Sequence, residues 1–518
     1  MVPSAFMRSG CLRVGVVLLG AIAMIGCGPN ETGSSSGGGT GGTTTTGPLC
    51  PDDPADGPVA EECGIWVSAS QGKDTNPGTQ GAPVATLAHA IELADAGPLR
   101  VYACGETWNE APKIPSGVSL HGGFDCDAGW KYVGDAKRAK LLASEGIAIR
   151  ILKTGHTEGG SLTDFYVEAP DATEPGGSSV PFQKESDQPF RIARCEFRSG
   201  NGAKGADGEP GDPNDAPAAP GMPGTNGADA CSGITSKGGA STETVCSMGT
   251  SQGGAGGDSG PMVAADGQAG TPAGDPASGA AGLGEQSAPQ CTAGTPGANG
   301  APGDYGFGGG RVSPNDLGHL TDTGYIARRG DDGLDGKPGQ GGGGGGATFG
   351  SAQACGAAKP AGAAGGSGGS GGCGGRGGRG GQGGGGSFGL VLIGSGKLTF
   401  GSLHMTVGNG GDGGNGGAPQ KGGAGAVPGL GGNGAGTINT ACAGGQGGDG
   451  GKGGWGGGGI GGMVAAILYR QSVTFGWENS DVTWKYGKGG NPGFGDPDHG
   501  STSAGIDGQA GDTIYLPP

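Results

Sequence analysis

Long glycine-rich segments interrupt this chain at three places, and short stretches with the pattern of β-strands lie between them. Glycine accounts for 135 of the 518 residues, against an average of about 7%. Because glycine has no side chain to bury, no ordinary core of helices or strands is expected within these segments. The composition therefore predicts a modest folded part with glycine-rich inserts rather than one large packed globule.

The net charge of the chain argues against nucleic acid as a partner. The formal net charge is −17 at pH 7. Nucleic-acid binding depends on clustered Lys and Arg side chains that neutralise phosphates, so no nucleic-acid partner is expected. An acidic surface instead favours solubility and resists non-specific association.

Residues 1–26 have the composition of a secretion signal. Two arginines precede an apolar run, residues 14–25, that is too short to span a bilayer. The run ends in the sequence AMIGC, which resembles a bacterial lipoprotein signal, with Met24 where Leu is usual. The resemblance implies that Cys27 becomes the lipidated N-terminus. It also implies anchoring in the outer membrane, because Gly28 rather than Asp follows the cysteine. The alternative is an ordinary signal peptide or short anchor with an incidental cysteine.

Residues 27–49 are predicted to form the lipid anchor and a flexible tether. They consist mainly of Gly, Ser and Thr, which cannot bury enough apolar surface to fold. A tether of this length spans roughly 25 Å on average. It would hold the folded part off the membrane, facing either the cell exterior or the periplasm.

The next region, residues 50–200, reads as a small folded domain with a helix over 83–95 and strands near 65–68, 99–103 and 118–120. Its motifs resemble the opening of right-handed parallel β-helix proteins of the pectin-lyase-like group. The matching residues are DTNPGT at 74–79, Pro83, Thr86, Glu110 and GVSL at 117–120. The resemblance implies an all-β fold, a right-handed parallel β-helix with an N-terminal capping helix. It implies no particular activity.

Four stretches of similar length repeat one pattern of an apolar strand, a polar turn and further strands. They are residues 146–170, 176–202, 385–410 and 461–489. Each is interpreted as one coil of the β-helix. Such units cannot bury their apolar faces alone and must stack on one another.

The glycine-rich inserts occupy 201–385, and then 408–460 and 487–510 within a region of later coils, 386–518. Three states are open for them: disorder, a collagen triple helix suggested by short runs of Gly at every third position, and extended three-fold glycine strands packed side by side. The last fits residues 371–386 best. The texture also resembles the repetitive half of PE-PGRS proteins, although their N-terminal PE module is absent. A closer likeness is to glycine-rich surface lipoproteins with a β-helix opening.

The cysteines indicate an oxidising compartment. Of 13 cysteines, one lies in the signal and Cys27 would carry lipid, which leaves an odd number. The favoured disulfides are Cys50–Cys63 and Cys104–Cys126, each local to one segment, while the cysteines of the inserts are expected to staple loops without a core. No spacing fits a zinc site, so no metal is predicted.

Catalytic patterns are missing from the sequence, so no enzyme activity and no cofactor are predicted. The repeats carry Glu168, Glu185, Asp187, Glu196, Glu478 and Asp481, with no adjacent pair of aspartates. Polysaccharide hydrolysis needs two carboxylates flanking one bond. Trp477 and Trp484, seven residues apart, are candidates for stacking on sugar rings, although such aromatics more often pack in a core.

Two functions are carried forward. The first is a non-enzymatic cell-surface lipoprotein, anchored through its lipid, with a structural or adhesive role towards envelope or matrix proteins or extracellular polysaccharide. The alternative is a carbohydrate-binding or polysaccharide-processing β-helix protein.

Overall fold

Parallel β-strands form three sheets, and glycine-rich segments join some of their strands. The computed structural model describes residues 50–517 except 145, 155, 273–276, 286–296, 311, 314, 471, 479–480 and 498–502. The strands before the first long insert are β1 (Ile65–Val67), β2 (Arg100–Cys104), β3 (Thr107–Trp108), β4 (Lys113–Pro115), β5 (Ser119–Asp125), β6 (Lys131–Tyr132), β7 (Ala139–Leu142), β8 (Ile147–Leu152), β9 (Gly160–Thr163), β10 (Phe165–Ala169), β11 (Val180–Lys184), β12 (Phe190–Ala193) and β13 (Cys195–Ser199).

Three short antiparallel hairpins lie within that insert. They are β14 (Glu243–Cys246) with β15 (Gly249–Gln252), β16 (Ser259–Gly260) with β17 (Val263–Ala264), and β18 (His319–Thr321) with β19 (Gly324–Ile326). The remaining strands are β20 (Ser387–Leu392), β21 (Gly396–Phe400), β22 (Leu403–Val407), β23 (Val464–Tyr469), β24 (Val473–Trp477), β25 (Val482–Tyr486) and β26 (Ala510–Tyr515). The helices are α1 (Leu87–Asp95) and α2 (Ala352–Cys355), with 3-10 turns at Pro54–Asp56, Glu61–Cys63 and Gly134–Lys137.

The sheets are built almost entirely from parallel neighbours, which confirms the all-β class. Sheet 1 has the order β1-β2-β5-β9-β12-β21-β24, with β6 antiparallel to β5. Sheet 2 has the order β25-β22-β13-β10-β7-β3, and sheet 3 the order β26-β23-β20-β11-β8-β4. We call these three sheets the stem.

The chain passes through the sheets in a repeated order. Strands β8, β9 and β10 lie in sheets 3, 1 and 2. The triplets β11–β13, β20–β22 and β23–β25 follow the same order. Each triplet falls within one of the four stretches that repeat in the sequence. The repeats therefore correspond to equivalent passes through the stem.

Helix α1 packs on one end of the stem. Its residues Leu87, Ala90, Ile91 and Ala94 are buried on one face, and the helix contacts β1, β2 and β4. It begins four residues later than the predicted start at 83, because Val84 pairs with Val67 instead.

Residues singled out by the β-helix resemblance hold the start of α1. The Thr86 hydroxyl accepts a hydrogen bond from the amide of His89 (3.2 Å). The Glu110 carboxylate accepts from the amides of Leu87 (3.1 Å) and Ala88 (3.0 Å). Amides at a helix N-terminus have no partner within the helix, so these oxygens stabilise it.

Aligned apolar side chains form the core of the stem. In sheet 1 the register places Leu120, Leu162, Ile192 and Phe400 directly beside one another, and all are buried. Because side chains alternate between the two faces of a strand, a shared register position means a shared face. Each pass through the stem therefore adds one layer to a continuous core.

The inserts leave the stem at equivalent places. They follow β13, β22 and β25 in sheet 2, and the chain returns to β20, β23 and β26 in sheet 3. Backbone hydrogen bonds join the first insert to the second, and the second to the third, as from the amide of Gly413 to Asn491 at 2.8 Å, so the inserts form one glycine bundle. Residues 202–230 donate to 409–433, these donate to 364–385, and these donate back to 202–230.

The hydrogen bonds of the glycine bundle recur at every third residue. Gly205, Gly208 and Gly211 donate to the carbonyls of Asp412, Asn415 and Ala418 at 2.7–2.8 Å. Three residues per turn is the period of an extended polyproline II helix, which has no hydrogen bonds of its own. The structure thus has the side-by-side packing of extended glycine strands. It is not a collagen helix, because residues 364–385 run antiparallel to both neighbours.

Central segments of the glycine bundle use their amides in several directions. In one turn, the amide of Ser367 donates to Thr225 (2.9 Å), that of Gly368 to Gly254 (2.8 Å) and that of Gly369 to Gly445 (3.0 Å). A Cβ atom on Gly368 would lie 1.9 Å from the carbonyl oxygen of Gly342. Backbone pairing therefore replaces apolar packing in this interior, and only glycine fits at position 368.

Candidate functional site

The tryptophans predicted to stack on sugars lie on two different sheets. Trp477 ends β24 in sheet 1, and Trp484 lies in β25 of sheet 2. Trp477 is beside Phe400 in register, with ring centroids 5.0 Å apart, and Trp484 is beside Met405. Phe400 and Met405 are both buried in the core. The two tryptophans therefore continue core positions at the last layer of the stem.

Their exposure follows from their position at the end of the stem. Trp477 is 52% exposed, because β24 is an edge strand of sheet 1. Trp484 is partly buried, and its indole Nε1 donates to Asp512 at 2.8 Å. The structure does not bring the two rings to one platform, so a joint sugar site has no geometric support. Sugar stacking on Trp477 alone stays a prediction.

Replacing Trp484 with Ala is expected to destabilise the stem by about 2 kcal/mol, less than a fully buried Trp, because only part of the ring is packed. The matched control is Lys485→Ala on the same strand, where the side chain is exposed. Chemical denaturation measures both. Unchanged stability in Trp484→Ala would contradict a packing role and revive the sugar-binding interpretation.

A cluster of charged residues, of which the sequence singled out only Glu478, lies along sheet 1. Asp53 accepts hydrogen bonds from Arg191 (2.8 Å) and from Arg194 (2.6 and 2.9 Å). Arg194 also donates to Asp164 at 2.8 and 2.9 Å, and Arg191 to Glu478 at 2.6 and 2.8 Å. These five residues are the Asp53 cluster. It ties the segment before β1 to strands far along the chain.

The Asp53 cluster borders a cavity of about 780 Å³. Every carboxylate of the cluster is engaged by a guanidinium, and Asp53 and Asp164 are buried. Burial alone would raise the pKa of Asp53, but hydrogen bonds from Arg194, the Ala55 amide and Arg191 lower it to about 2. Burial raises the pKa of Asp164 despite Arg194. The arrangement therefore holds Asp53 ionised between two guanidinium groups.

Stability should depend on acid through Asp53. Its folded pKa is lowered to about 2 from 3.8, so its contribution is present above about pH 4 and lost as pH falls through 2. Asp53→Asn should cost about 3 kcal/mol or more at pH 6, because it leaves two guanidinium groups poorly paired. The gap between the native protein and Asp53→Asn, measured by urea denaturation, should shrink between pH 4 and 2. A gap independent of pH would contradict this role, and Asp52→Asn, at an exposed position, is the control.

The carboxylates of the repeats are all engaged by neighbouring side chains. Glu168 is bonded to Tyr166, Glu185 to Arg150, Asp187 to Lys153, Glu196 to Arg138 and Arg198, Glu478 to Arg191, and Asp481 to Ser402. The structure pairs them with bases and hydroxyls rather than with one another. Glu168 and Glu196 line one cavity together, where Tyr166, Arg138 and Arg198 lie beside them.

Disulfides join the cysteines that the sequence paired, Cys50–Cys63 and Cys104–Cys126. Two more lie in the glycine bundle and link distant segments, Cys231–Cys355 and Cys246–Cys373. Cys195 is a buried thiol in the stem. Burial raises the pKa of this thiol to about 12, which makes it unreactive.

The part of the chain that the structure describes holds no group of His, Cys, Asp and Glu able to bind a metal ion, and no helix of the length and apolarity that a membrane span requires. The predicted lipidation site Cys27, with residues 1–49, lies outside the described residues. Compared with known proteins, the chain matches no family model, no curated protein and no solved structure.

Proposed function

We propose that this protein is a non-enzymatic, lipid-anchored protein of the outer membrane that displays its glycine bundle for a structural or adhesive role. The observation that carries the proposal is the hydrogen-bonded interior of the bundle. Because that interior is made of backbone, the side chains that point outward are not needed to form a core. The bundle is thus a stiff scaffold whose surface can vary to suit envelope or matrix proteins or extracellular polysaccharide.

We propose further that the stem is a right-handed parallel β-helix of the pectin-lyase-like kind. The repeated order of the three sheets and the position of α1 over the first strands support this interpretation. Crossovers between parallel strands are right-handed in nearly all proteins. The resemblance to glycine-rich surface lipoproteins and to PE-PGRS texture is in keeping with this architecture.

The non-enzymatic part of the proposal rests on the engaged carboxylates. A general acid or nucleophile must be reachable by substrate, and those of the repeats are bonded to Arg, Lys, Tyr or Ser neighbours. Incubation with polysaccharides should release neither reducing ends nor unsaturated products.

Cys27→Ser is expected to abolish lipid attachment and to release the protein from the outer membrane. Metabolic labelling with a radioactive fatty acid and fractionation of the envelope measure these effects. Protease treatment of intact cells then distinguishes exposure on the cell surface from a periplasmic orientation. Cys11→Ser, within the signal, is the matched control. Lipid incorporation equal to that of the native protein would contradict the anchor.

The second candidate is a carbohydrate-binding protein, which the exposed face of Trp477 favours. Retention on polysaccharides without product release would support it. Retention that survives Trp477→Ala together with Trp484→Ala would exclude the end of the stem as the binding surface.

A further inference from the structure

We propose that the glycine bundle carries a sugar-binding cleft, distinct from the tryptophans of the stem, that takes a neutral pyranose ring. The cleft lies where residues 305–310 and 452–455 run side by side, and it encloses about 460 Å³. Its principal side chains are Tyr305, Phe307, Lys452, Trp455, Asp496 and Ser503. The inference does not depend on the lipid anchor.

The aromatic rings of the cleft have no structural task that explains them. Tyr305 is 76% exposed and Phe307 is 79% exposed. Both residues line the same cleft, and exposed aromatic side chains at a cleft often mark contact with a ligand or partner. The interior of the bundle has no room for them, because Gly306 lies where a Cβ atom would be 1.9 Å from the carbonyl oxygen of Leu334.

The glycine at position 308, on the floor of the cleft, is not required by backbone packing. Gly309 is crowded, since its Cβ atom would be 2.1 Å from the Asp331 carbonyl oxygen. Gly308 is different: a Cβ atom there would meet nothing closer than the Trp455 carbonyl oxygen at 3.6 Å. The bundle would therefore accept a side chain at Gly308. Its absence leaves space beside the exposed rings, on the face that Tyr305 shares one turn away.

The chemistry of the cleft fits a sugar ring. One face of a pyranose presents C–H groups with partial positive charge, which the negative face of an aromatic ring attracts. The hydroxyls at its rim need both donors and acceptors. The Lys452 ammonium and the Asp496 carboxylate lie in the lining, and the Ser503 hydroxyl, which accepts from the Asp496 amide at 2.7 Å, has its own proton to donate. The Lys452 ammonium lies 5.8 Å from the centre of the Trp455 ring, and the buried Trp455 Nε1 has no hydrogen-bond partner among the described residues.

The presence of both a positive and a negative side chain in the cleft favours a neutral sugar over an anionic ligand or a lipid surface. One lysine and one aspartate at the rim suit neutral hydroxyls better than a phosphate or sulfate, which would repel Asp496. A lipid surface would require a broad apolar patch rather than a narrow cleft with polar ends. A neutral polysaccharide is therefore the ligand that the side chains favour.

The test uses the full chain in detergent and four insoluble polymers: cellulose, chitin, xylan and peptidoglycan. Wild-type protein should be retained by at least one of them, and about 0.5 M salt should not release it, because no ion pair holds the sugar. Tyr305→Ala with Phe307→Ala should weaken retention at least about tenfold, which corresponds to about 1.4 kcal/mol.

A second variant and its controls keep the test independent of folding. Gly308→Leu fills the cleft without touching the interior and should also reduce retention about tenfold. Gly81→Leu adds the same side chain where nothing lies within 4 Å, and it should bind like the native protein, as should Trp477→Ala with Trp484→Ala. Retention by none of the polymers, release by salt, or equal retention by the cleft variants would each overturn the proposal.

Discussion

Replacing Gly368 with Ala is expected to unfold the centre of the glycine bundle, at a cost of about 4 kcal/mol or more. The new Cβ atom would lie 1.9 Å from the carbonyl oxygen of Gly342 and 2.4 Å from its carbon. Neither backbone can move away alone, because the Gly368 amide donates to Gly254 and the Gly254 amide donates to Gly342. One methyl group therefore separates segments that pair through their backbone hydrogen bonds.

Hydrogen exchange should locate this effect. In the native protein, the amides of Gly254, Gly342 and Gly368 should be among the slowest to exchange, because each is bonded in the interior. In Gly368→Ala they should lose protection, while amides of the stem keep theirs. Gly81→Ala is the control, since a Cβ atom there has open space, and it should raise the stability by about 0.4–1 kcal/mol rather than lower it. Equal protection in both variants would show that the glycine segments are not packed as described.

The stem illustrates what apolar patterning in a sequence can predict. Each of the four repeated stretches holds three strands, one in each sheet, because alternating apolar residues specify both the strand and its buried face. The start of α1 was predicted four residues early, since a helical periodicity does not show that Val84 prefers a strand partner. Local chemistry thus predicted the elements, and a long-range contact moved one boundary.

The glycine bundle shows where such patterning fails. Runs of glycine carry no apolar periodicity, so disorder and order could not be told apart from composition. Order depends on which distant segments pair with each other. The amide of Gly205, for example, donates to the carbonyl of Asp412, more than two hundred positions away. The fit of residues 371–386 to packed extended strands was visible in sequence, but their neighbours were not.

The candidate sites show the same division. The motif residues Thr86 and Glu110 were visible because they act locally on α1. The Asp53 cluster was missed, because Asp53, Arg191 and Glu478 are joined only by the fold. The seven-residue spacing of Trp477 and Trp484 indicated a pair, yet the chain turns between them from sheet 1 to sheet 2. Residues on successive strands of one repeat lie in different sheets, and their spacing in the sequence does not reveal this.

Since the disulfide Cys231–Cys355 already spans most of the same loop, changing both cysteines of the disulfide Cys246–Cys373 to Ser is expected to cost the glycine bundle about 4 kcal/mol in the chain-entropy treatment. This disulfide closes a loop with a sequence separation of 127 residues. The matched comparison is Cys50→Ser with Cys63→Ser, whose separation is 13 and whose loss should cost about 3 kcal/mol. Unfolding followed by hydrogen exchange of the bundle amides measures the first, and urea denaturation of the stem the second.

The larger effect is expected in the glycine bundle because the loop that Cys246–Cys373 closes is longer, even with Cys231–Cys355 in place, and because little apolar core supports the native bundle. The apolar cluster beside the disulfide Cys231–Cys355 contains only Ala230, Ala363, Ile438 and Ala441 as buried members. The stem, by contrast, has a continuous core that persists without any one cross-link. Removal of Cys246–Cys373 that costs less than removal of Cys50–Cys63 would mean that the hydrogen bonds of the bundle suffice by themselves. If instead the bundle depends on its cross-links, it can mature only where cysteines are oxidised, and secretion becomes a condition of its folding.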